Sequence, residues 1–437
     1  MNFRESEAYL LSLGNEVSAM KLGLENISTL LEALGSPQDK YLKVQVAGTN
    51  GKGSVCAFLN SICLSAGIKT GMFTSPHLTS ITERIQIGGA DIREEDFARH
   101  STDVRDTAEK LLAAGKLRYR PTFFEQITAI ALTAFAEARV ELAILETGLG
   151  GRLDATSAAH AEIAAITRIG LDHQEYLGDT IEEIAAEKAA IITAKTQAVV
   201  LGAQSPGVMR LLQKHCSELG IIPINERPEP WHILKAENGL VRVVMPPVTS
   251  PPFSLGLRGD HQIENAETAI RIAKALRDQE KFANGEPSDA SVIEGLQRAN
   301  HPGRLETVGK YLLDGAHNSG GAYALAEYIR EKETGPITLV FGAMSDKNVS
   351  EMLKTLAPLA ARIVVTEPLN PRSVSYNELL ETLPAGISKE RTFATDNVAS
   401  AIAIANAVTP DDGIILVTGS LYLVGEAKKL LQNGPET

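Results

Sequence analysis

Cysteine is scarce in this sequence, with three among 437 residues. Cys56 and Cys63 stand seven residues apart in a segment predicted to be helical, so they share one face and are expected in the core, while Cys216 stands alone. This spacing matches neither a disulfide framework nor a cysteine-based metal site. A reducing, cytoplasmic compartment is therefore expected.

The chain also lacks long apolar runs and an excess of positive charge. No segment approaches the ~20 apolar residues that cross a bilayer, and the first residues lack the basic start and apolar run of a secretion signal. Lys and Arg total 42 against 54 Asp and Glu, a formal net charge of −12. Because nucleic-acid binding depends on neutralising phosphates, this balance argues against a nucleic-acid partner. We therefore expect a small-molecule enzyme without a membrane partner.

A G-x-G-x-x-G dinucleotide fingerprint is absent as well, although strand-like and helix-like segments alternate as in α/β proteins. Domains usually contain roughly 100 to 200 residues, so the length suggests two or three, and we place a boundary after residue 300. The predicted domains are 1–300 and 301–437. Asn238-Gly239, between two apolar segments of the first domain, predicts a hairpin and a small antiparallel β appendage. Predicted strands cover 42–47, 142–145, 163–167, 311–313, 337–341, 363–366 and 414–418, and predicted helices cover 54–66, 123–138, 181–192 and 264–276.

The most informative segment is Val46-Ala-Gly-Thr-Asn-Gly-Lys-Gly-Ser54, a glycine-rich loop between a predicted strand and a predicted helix. Backbone amides and a helix N-terminus converge in such loops and bind phosphate, and Lys52 adds a full positive charge. Gly53, which stands between Lys52 and Ser54, departs from the common G-x-x-x-x-G-K-[ST] pattern. The alternative is a glycine-rich turn with a solvated lysine, but the order of strand, loop and helix favours a nucleotide site.

Two further predicted strands end in polar residues. Glu146 ends one strand, and Asp172-His173 follows the other. Because the carboxyl ends of parallel strands meet at one edge of a sheet, these side chains are expected near the phosphate loop. A carboxylate oxygen and an imidazole nitrogen can hold a divalent cation, and Mg²⁺ is the natural candidate. Taken singly, Glu146 could be a surface carboxylate and His173 a helix cap.

Lys188 lies within an apolar helical stripe. Thr180-Ile-Glu-Glu183 is a capping-box pattern, and the helix that it starts places Lys188 on the same face as Ile181 and Ile184. One interpretation is snorkelling, in which the ammonium group reaches water. The other is burial, which lowers a lysine's pKa and allows the neutral amine to form a metal-binding carbamate with carbon dioxide.

The second predicted domain contributes an arginine and an aspartate that could bind a ligand. Arg304 follows a Pro-Gly turn and suits a phosphate oxygen, whereas Asp314, at a strand end, suits a ribose hydroxyl. Each also has an ordinary interpretation, as a solvated surface arginine and as part of an Asp-Gly turn.

With these residues assembled, nearly the whole chain resembles the folylpolyglutamate synthase and dihydrofolate synthase family, within the Mur-type ATP-dependent amide ligases. Ten ordered sequence blocks carry the resemblance: A-G-T-N-G-K-G-S at 47–54, T-S-P-H-L at 74–78, F-E at 124–125, E-T-G-L-G-G-R-L-D-A-T at 146–156, G-L-D-H at 170–173, E-K-A at 187–189, H-Q-x-x-N-A at 261–266, P-G-R at 302–304, D-G-A-H-N at 314–318 and G-S-L-Y-L at 419–423.

The resemblance implies a P-loop, Mur-ligase-like ATPase domain with a pterin site at 1–300 and a Rossmann-like glutamate-ligase domain at 301–437. It implies that ATP binds between the domains on Thr49, Asn50, Gly51, Lys52, Gly53, Ser54, Asn265, Arg304, Asp314 and His317. It implies magnesium on Ser75, Glu146 and His173, and a second metal position supported by a carbamylated Lys188. The implied pterin or folate site comprises Gly23, Leu24, Thr122, Phe123, Phe124, Glu125, Arg152, Leu153 and Asp154.

The implied reaction joins L-glutamate to dihydropteroate or to a reduced folate through an acyl phosphate, with catalytic roles for Lys52, Lys188, His173 and Arg304 in a chain expected to be monomeric. The sequence departs from the family pattern in three places, each with a different residue from the usual one: Asn26 for arginine, Ala190 for glycine and His301 for tryptophan. The first departure weakens the implied pterin contact. Two alternatives are another Mur-type amino-acid ligase, although those carry a large UDP-sugar domain before the loop, and a P-loop nucleotide switch.

Overall fold

The computed structural model describes residues 1–14, 23–224, 231–282 and 285–433. The strands, in chain order, are β1 (Leu42–Ala47), β2 (Thr70–Phe73), β3 (Ile85–Ile87), β4 (Ala90–Asp91), β5 (Leu142–Glu146), β6 (Ile163–Ile166), β7 (Ala198–Leu201), β8 (His232–Lys235), β9 (Val241–Met245), β10 (Val248–Thr249), β11 (Glu306–Val308), β12 (Tyr311–Leu313), β13 (Ile337–Phe341), β14 (Arg362–Thr366), β15 (Thr392–Thr395) and β16 (Ile414–Thr418).

The α-helices are α1 (Phe3–Ser12), α2 (Glu25–Ala33), α3 (Lys52–Ser65), α4 (Glu94–Ala113), α5 (Phe123–Ala138), α6 (Gln174–Leu177), α7 (Ile181–Ala189), α8 (Pro206–Glu218), α9 (His261–Arg277), α10 (Asp289–Arg298), α11 (Ser319–Lys332), α12 (Val349–Leu356), α13 (Tyr376–Thr382), α14 (Val398–Val408) and α15 (Leu421–Asn433). Short 3₁₀ helices cover Pro37–Lys40, Ile81–Arg84, Ala155–Ala159, Glu237–Gly239, Ala357–Leu359 and Lys389–Arg391. None of these described helices combines the length and the apolar character that a bilayer crossing requires.

Contacts divide the chain into two compact units. The first comprises Met1–Pro76, Ile81–Gly256 and Gln262–Asn300, and the second comprises His77–Ser80, Leu257–His261 and the chain from His301 onward. Two short segments, at residues 77–80 and 257–261, thus belong to the second unit although they precede residue 300. The assignment of a ligase role to each unit stays a prediction.

The first unit is built on a 7-stranded sheet in the order β4-β3-β2-β5-β1-β6-β7. β2, β5, β1, β6 and β7 are parallel, and β3 and β4 form an antiparallel edge. Apart from Lys43 and Gln45 in β1 and Glu146 at the end of β5, the residues of β1, β5, β6 and β7 are apolar, and they pack into apolar clusters with the neighbouring helices. The predicted α/β alternation is confirmed in this unit.

Local sequence signals account for several boundaries. Thr122 and Glu125 form a reciprocal capping box at the start of α5, and Arg139 ends that helix with φ +54°. The predicted hairpin is also present: Asn238 and Gly239 both have positive φ, between β8 and β9 of a 3-stranded antiparallel sheet. Positive φ at two successive residues is the requirement that Asn-Gly meets at low cost.

The second unit contains a 6-stranded sheet in the order β11-β12-β16-β13-β14-β15. All neighbours are parallel except β11 and β12, which form a hairpin. Apolar clusters cover both faces, so the predicted second α/β layer is confirmed.

Candidate nucleotide and substrate site

The predicted strand ends of the first unit meet at one edge of its sheet. In the parallel register Val46 pairs with Glu146, Ala47 with Ile166, and Phe73 with Leu145. The segments after β1, β2, β5 and β6 therefore leave the sheet side by side. This edge carries the phosphate loop, Ser75, Glu146 and the segment that leads to His173.

The phosphate loop turns sharply into α3. Gly51 caps the helix with φ +91°, a conformation that L side chains rarely adopt, and the space where a Cβ would lie is taken by the Asn265 amide of α9. The helix begins at Lys52, two residues before the predicted start at Ser54, because glycine at the cap allows the chain to enter the helix at once. The first amides of α3 have no acceptor within the helix, so Lys52, Gly53 and Ser54 present donors suited to an anion.

The loop's outer part is held by the segment after β6. The Arg168 carbonyl accepts hydrogen bonds from the amides of Thr49 and Asn50, at 3.0 and 3.1 Å. Thr49 Oγ1 donates to the Gly170 carbonyl and accepts from the Gly170 amide, both at 3.0 Å. Lys52 Nζ lies 3.3 Å from the Thr49 carbonyl oxygen, to which it donates. The loop and the segment leading to His173 therefore form one hydrogen-bonded structure.

Glu146 and Ser75 are in direct contact, since the Ser75 amide donates to Glu146 Oε2 at 3.2 Å. Glu146 is buried, with 5% of its surface exposed. His173 caps α6 with φ +51°, and its amide donates to Asp172 Oδ1 at 2.9 Å. Burial raises the pKa of the Cys56 thiol well above its usual range, and the Glu146 carboxylate adds to that shift, so this cysteine is kept uncharged.

Lys188 is buried, with 5% of its surface exposed. The predicted capping box of Thr180 and Glu183 starts α7, which ends at Ala189 rather than at residue 192. The glycine-rich segment after β5 packs against this helix. The Arg152 amide donates to the Glu187 carbonyl at 3.0 Å, and the Arg152 guanidinium pairs with the Glu187 carboxylate at 2.9 Å.

Asp154 has a clear local partner set. Its carboxylate accepts from the amides of Leu149 and Thr156, at 2.9 and 3.0 Å, and from the Thr156 hydroxyl. Burial nevertheless raises its pKa above the usual aspartate value. The carboxylate thereby holds the segment that presents exposed Arg152 and Leu153. The implied contact of these three residues with substrate stays a prediction.

Gln45 is a site residue that sequence reasoning missed. It lies in the middle of β1, 1% exposed, and its amide group reaches Thr156 Oγ1 at 2.9 Å, Ser157 Oγ at 3.0 Å and Thr147 Oγ1 at 3.3 Å. It therefore ties the strand beneath the phosphate loop to the segment that carries Asp154. A polar residue in a central strand was the available signal.

The remaining implied pterin residues surround the start of α5. Phe124 is buried 5.8 Å from the Phe73 ring, and its ring fills the space beside Gly148. The Phe123 ring lies 5.2 Å from the Arg84 guanidinium. Burial raises the pKa of Glu125, whose Oε2 accepts from the Thr122 amide at 2.8 Å.

Gly23 and Leu24 lead into α2, where Gly23 has φ +84° and Leu24 occupies the cap. Asn26, the departure from the family pattern, is buried, and its Nδ2 donates to the Tyr119 carbonyl at 2.9 Å. Asn26 thereby binds the segment that precedes α5, so in this chain its side chain has a structural role.

In the second unit, Arg304, Asp314 and His317 gather around one turn. Asp314 accepts from the amides of Leu305 and Ala316, both at 3.0 Å, and burial raises its pKa. Arg304 donates to the Gly315 carbonyl at 3.4 Å, and His317 Nδ1 lies 2.8 Å from the same oxygen. The carboxylate thus organises the turn, and the implied contacts with ribose and phosphate stay predictions.

Comparisons with known proteins identify the class that this fold and site define. Residues 46–273 match the Mur ligase middle domain, and residues 303–421 match the Mur ligase glutamate ligase domain. The chain thus belongs to the Mur ligase family, with the phosphate loop at the start of the matched middle domain.

Relatives that align over most of the chain identify a narrower family within the Mur ligases. The chain is 34% identical to a dihydrofolate synthase/folylpolyglutamate synthase from Bacillus subtilis. The alignment covers 94% of this chain and 96% of that protein. It belongs to the folylpolyglutamate synthase and dihydrofolate synthase family. It spans about half, 51% and 50%, of two archaeal relatives, from Halobacterium salinarum and Haloferax volcanii, described as probable bifunctional folylpolyglutamate synthase/dihydropteroate synthases.

Solved structures agree. A Mycobacterium tuberculosis folylpolyglutamate synthase complexed with ADP matches with a TM-score of 0.87 at 30% identity, over 99% of each chain. A bifunctional folylpolyglutamate synthase/dihydrofolate synthase with Mn, AMPPNP and L-glutamate bound matches with a TM-score of 0.82 at 29% identity, over 99% of this chain and 98% of that one.

Proposed function

We propose that this protein is an ATP-dependent ligase that joins L-glutamate to dihydropteroate, to the γ-carboxyl group of a reduced folate, or to both. The observation that carries the proposal is the shared edge of the sheet, where the phosphate loop, buried Glu146 and the segment anchored by Asp154 leave neighbouring strands. Family membership supports the choice of acceptor and amino acid.

The chemistry follows from the weakness of a carboxylate as an electrophile. A carboxylate oxygen of the pterin substrate attacks the γ-phosphorus of ATP, and ADP leaves with the electrons of the broken bond. The glutamate amine then attacks the acyl phosphate, loses a proton and displaces phosphate. No protein nucleophile is required, which agrees with a buried, uncharged Cys56. The chain's task is to hold the reacting groups together and to exclude water.

Within that task, the α3 amides and Lys52 would bind the phosphates of ATP, and Asn265 would lie by the adenine. Lys52 supplies the positive charge that backbone amides lack, and it is positioned by the Thr49 carbonyl. Arg304 would supply a second cation for the phosphates. Phe124 and the Arg152–Asp154 segment would bind the pterin acid, with the Asp154 carboxylate holding the segment rather than the substrate.

The donors present fit magnesium. Among the described residues no group of three or more His, Cys, Asp and Glu side chains is arranged to hold a metal ion. Mg²⁺ commonly uses one or two carboxylates together with water and substrate phosphates, and a buried carboxylate at the phosphate edge meets that need. Glu146, Ser75 and His173 would hold it. When bound, the ion neutralises charge on the phosphates.

A carbamate on Lys188 would support a second metal position. The ammonium group first loses a proton, and the neutral amine then adds to carbon dioxide and releases a second proton, which leaves a carbamate anion where a cation was. The burial of the Lys188 side chain supports this proposal. We expect labelled bicarbonate to give a carbamate signal by carbon NMR in the wild-type protein and none in Lys188→Met. Equal signals would exclude the modification at this residue.

Phosphate release tests the function. We expect phosphate release from ATP only when a pterin acid and L-glutamate are both present. We also expect the protein to be monomeric in solution. A nucleotide switch would release phosphate equally without either acceptor, and another Mur-type ligase would respond to a different acid. Running dihydropteroate and tetrahydrofolate in parallel determines which of the two activities the chain has.

A further inference from the structure

Arg168 contacts both the phosphate loop and α9 in the first unit. Its carbonyl accepts from the amides of Thr49 and Asn50, as described above. Its guanidinium reaches Glu264 on α9: Nη2 lies 2.7 and 2.8 Å from the two carboxylate oxygens, and Nε lies 3.1 Å from Oε2. The main chain of Arg168 thus binds the phosphate loop, and its side chain binds α9.

Glu264 immediately precedes Asn265 on α9. The Asn265 Nδ2 donates to Gln262 Oε1 at 2.9 Å, which orients the amide, and the Asn265 Oδ1 faces the α-carbon of Gly51. Asn265 is buried, with 8% exposure. The start of α9 therefore packs on the loop's tightest point, and the Arg168–Glu264 pair lies beside that contact.

We propose that the Arg168–Glu264 ion pair is a positioning device that holds Asn265 over the phosphate loop and thereby strengthens binding of the nucleoside part of ATP. This inference rests on the proposed function for the identity of the nucleotide. Arg168 and Glu264 are positioning residues, since they act through Asn265 and through the loop's main chain.

Exposure separates this role from a general stabilising one. The two side chains are 54% and 42% exposed, and exposed ion pairs contribute little to global stability. Bidentate geometry makes this pair more specific in orientation than most. Removing the charge of Glu264 should therefore loosen α9 locally while the fold persists.

The test variant is Glu264→Gln, which keeps the side-chain volume. The matched control is Asp289→Asn, because Asp289 accepts from Arg277 near the other end of α9 at 2.7 Å, and that pair is similarly exposed. Binding of AMPPNP with Mg²⁺ is measured by calorimetry. We expect about threefold to fivefold weaker binding in Glu264→Gln, and no change in the control. Unchanged binding in Glu264→Gln, or equal weakening in both variants, would overturn the proposal.

A second probe reports on the mechanism. Inorganic tripolyphosphate occupies a phosphate loop without a nucleoside, so Glu264→Gln should bind it as the wild type does. Equal losses for tripolyphosphate and AMPPNP would show that the loop itself is damaged and would contradict the role assigned to Asn265. In turnover, KM for ATP should rise by the same factor while kcat and KM for the pterin acid stay unchanged.

Double-variant data complete the design. Arg168→Met should weaken AMPPNP binding as Glu264→Gln does, and the two together should cost no more than either alone, because they remove one interaction. Additive losses would refute pairing as the cause. Since these binding measurements need no turnover, they fail independently of the proposed function, which fails if phosphate release by the wild type does not depend on both a pterin acid and L-glutamate.

Discussion

Gly51 offers a quantitative test of the phosphate-loop geometry. Replacing it with alanine places a Cβ on a residue with φ +91°, which costs about 1–2 kcal/mol for a left-handed conformation. The new methyl group also overlaps Asn265, whose Cγ would lie 3.0 Å away. Forced overlap typically costs about 1–3 kcal/mol. Gly51→Ala should therefore destabilise the first unit by about 2–5 kcal/mol.

The two costs can be separated because only the second involves Asn265. Asn265→Ala removes the overlapping amide, so Gly51→Ala/Asn265→Ala should retain the backbone strain and lose the steric conflict. We expect the double variant to be more stable than the sum of the single changes predicts, by about 1–3 kcal/mol.

Trp231 makes the assay specific. It is the chain's single tryptophan and is buried within the first unit, so its fluorescence during urea unfolding reports on that unit. Urea midpoints of the wild type, both single variants and the double variant supply the cycle. Strict additivity would refute the close approach of Gly51 and Asn265, and an unaltered midpoint in Gly51→Ala would refute the strained cap.

Three other changes have defined outcomes. Gln45→Leu removes the amide that joins three hydroxyl groups, so the Trp231 urea transition should show a loss of about 1–3 kcal/mol. Burial, with Arg304 nearby, lowers the pKa of His261 to about 4. Between pH 6.5 and 4 the unfolded chain therefore binds a proton that the folded chain does not, and the free energy of unfolding falls on acidification. Unfolding followed by circular dichroism should show a shallower fall for His261→Gln. Lys52→Ala should abolish turnover with an unchanged circular dichroism spectrum, and normal glutamate-dependent phosphate release would contradict the assignment of the loop.

Patterns of short range were the most predictable part of this fold. The α5 helix has the predicted bounds, 123–138, because its capping box, its apolar face and its end are all encoded locally. The Asn238-Gly239 hairpin formed for the same reason. By contrast, α3 begins two residues earlier than expected, at Lys52, because a glycine in a left-handed conformation can cap a helix without a polar side chain. Asn265, which lies far along the chain, occupies the space that a Cβ at this position would need.

The candidate site shows the same division between local and tertiary information. Strand ends located Glu146 and the phosphate loop, since topology alone brings parallel strand termini together. Gln45 and Arg168 were missed because their roles consist of hydrogen bonds to distant segments.

The sequence of β1 did contain a signal for one of these roles, because Lys43 and Gln45 interrupt an otherwise apolar strand. A buried polar group needs a partner. Lys43 Nζ lies 3.1 Å from Glu162 Oε1, and the Gln45 amide reaches hydroxyl groups in the segment after β5. A polar residue in a buried central strand therefore indicates a hydrogen-bonding partner elsewhere in the fold. In this protein one such residue, Gln45, has its partners in the candidate site.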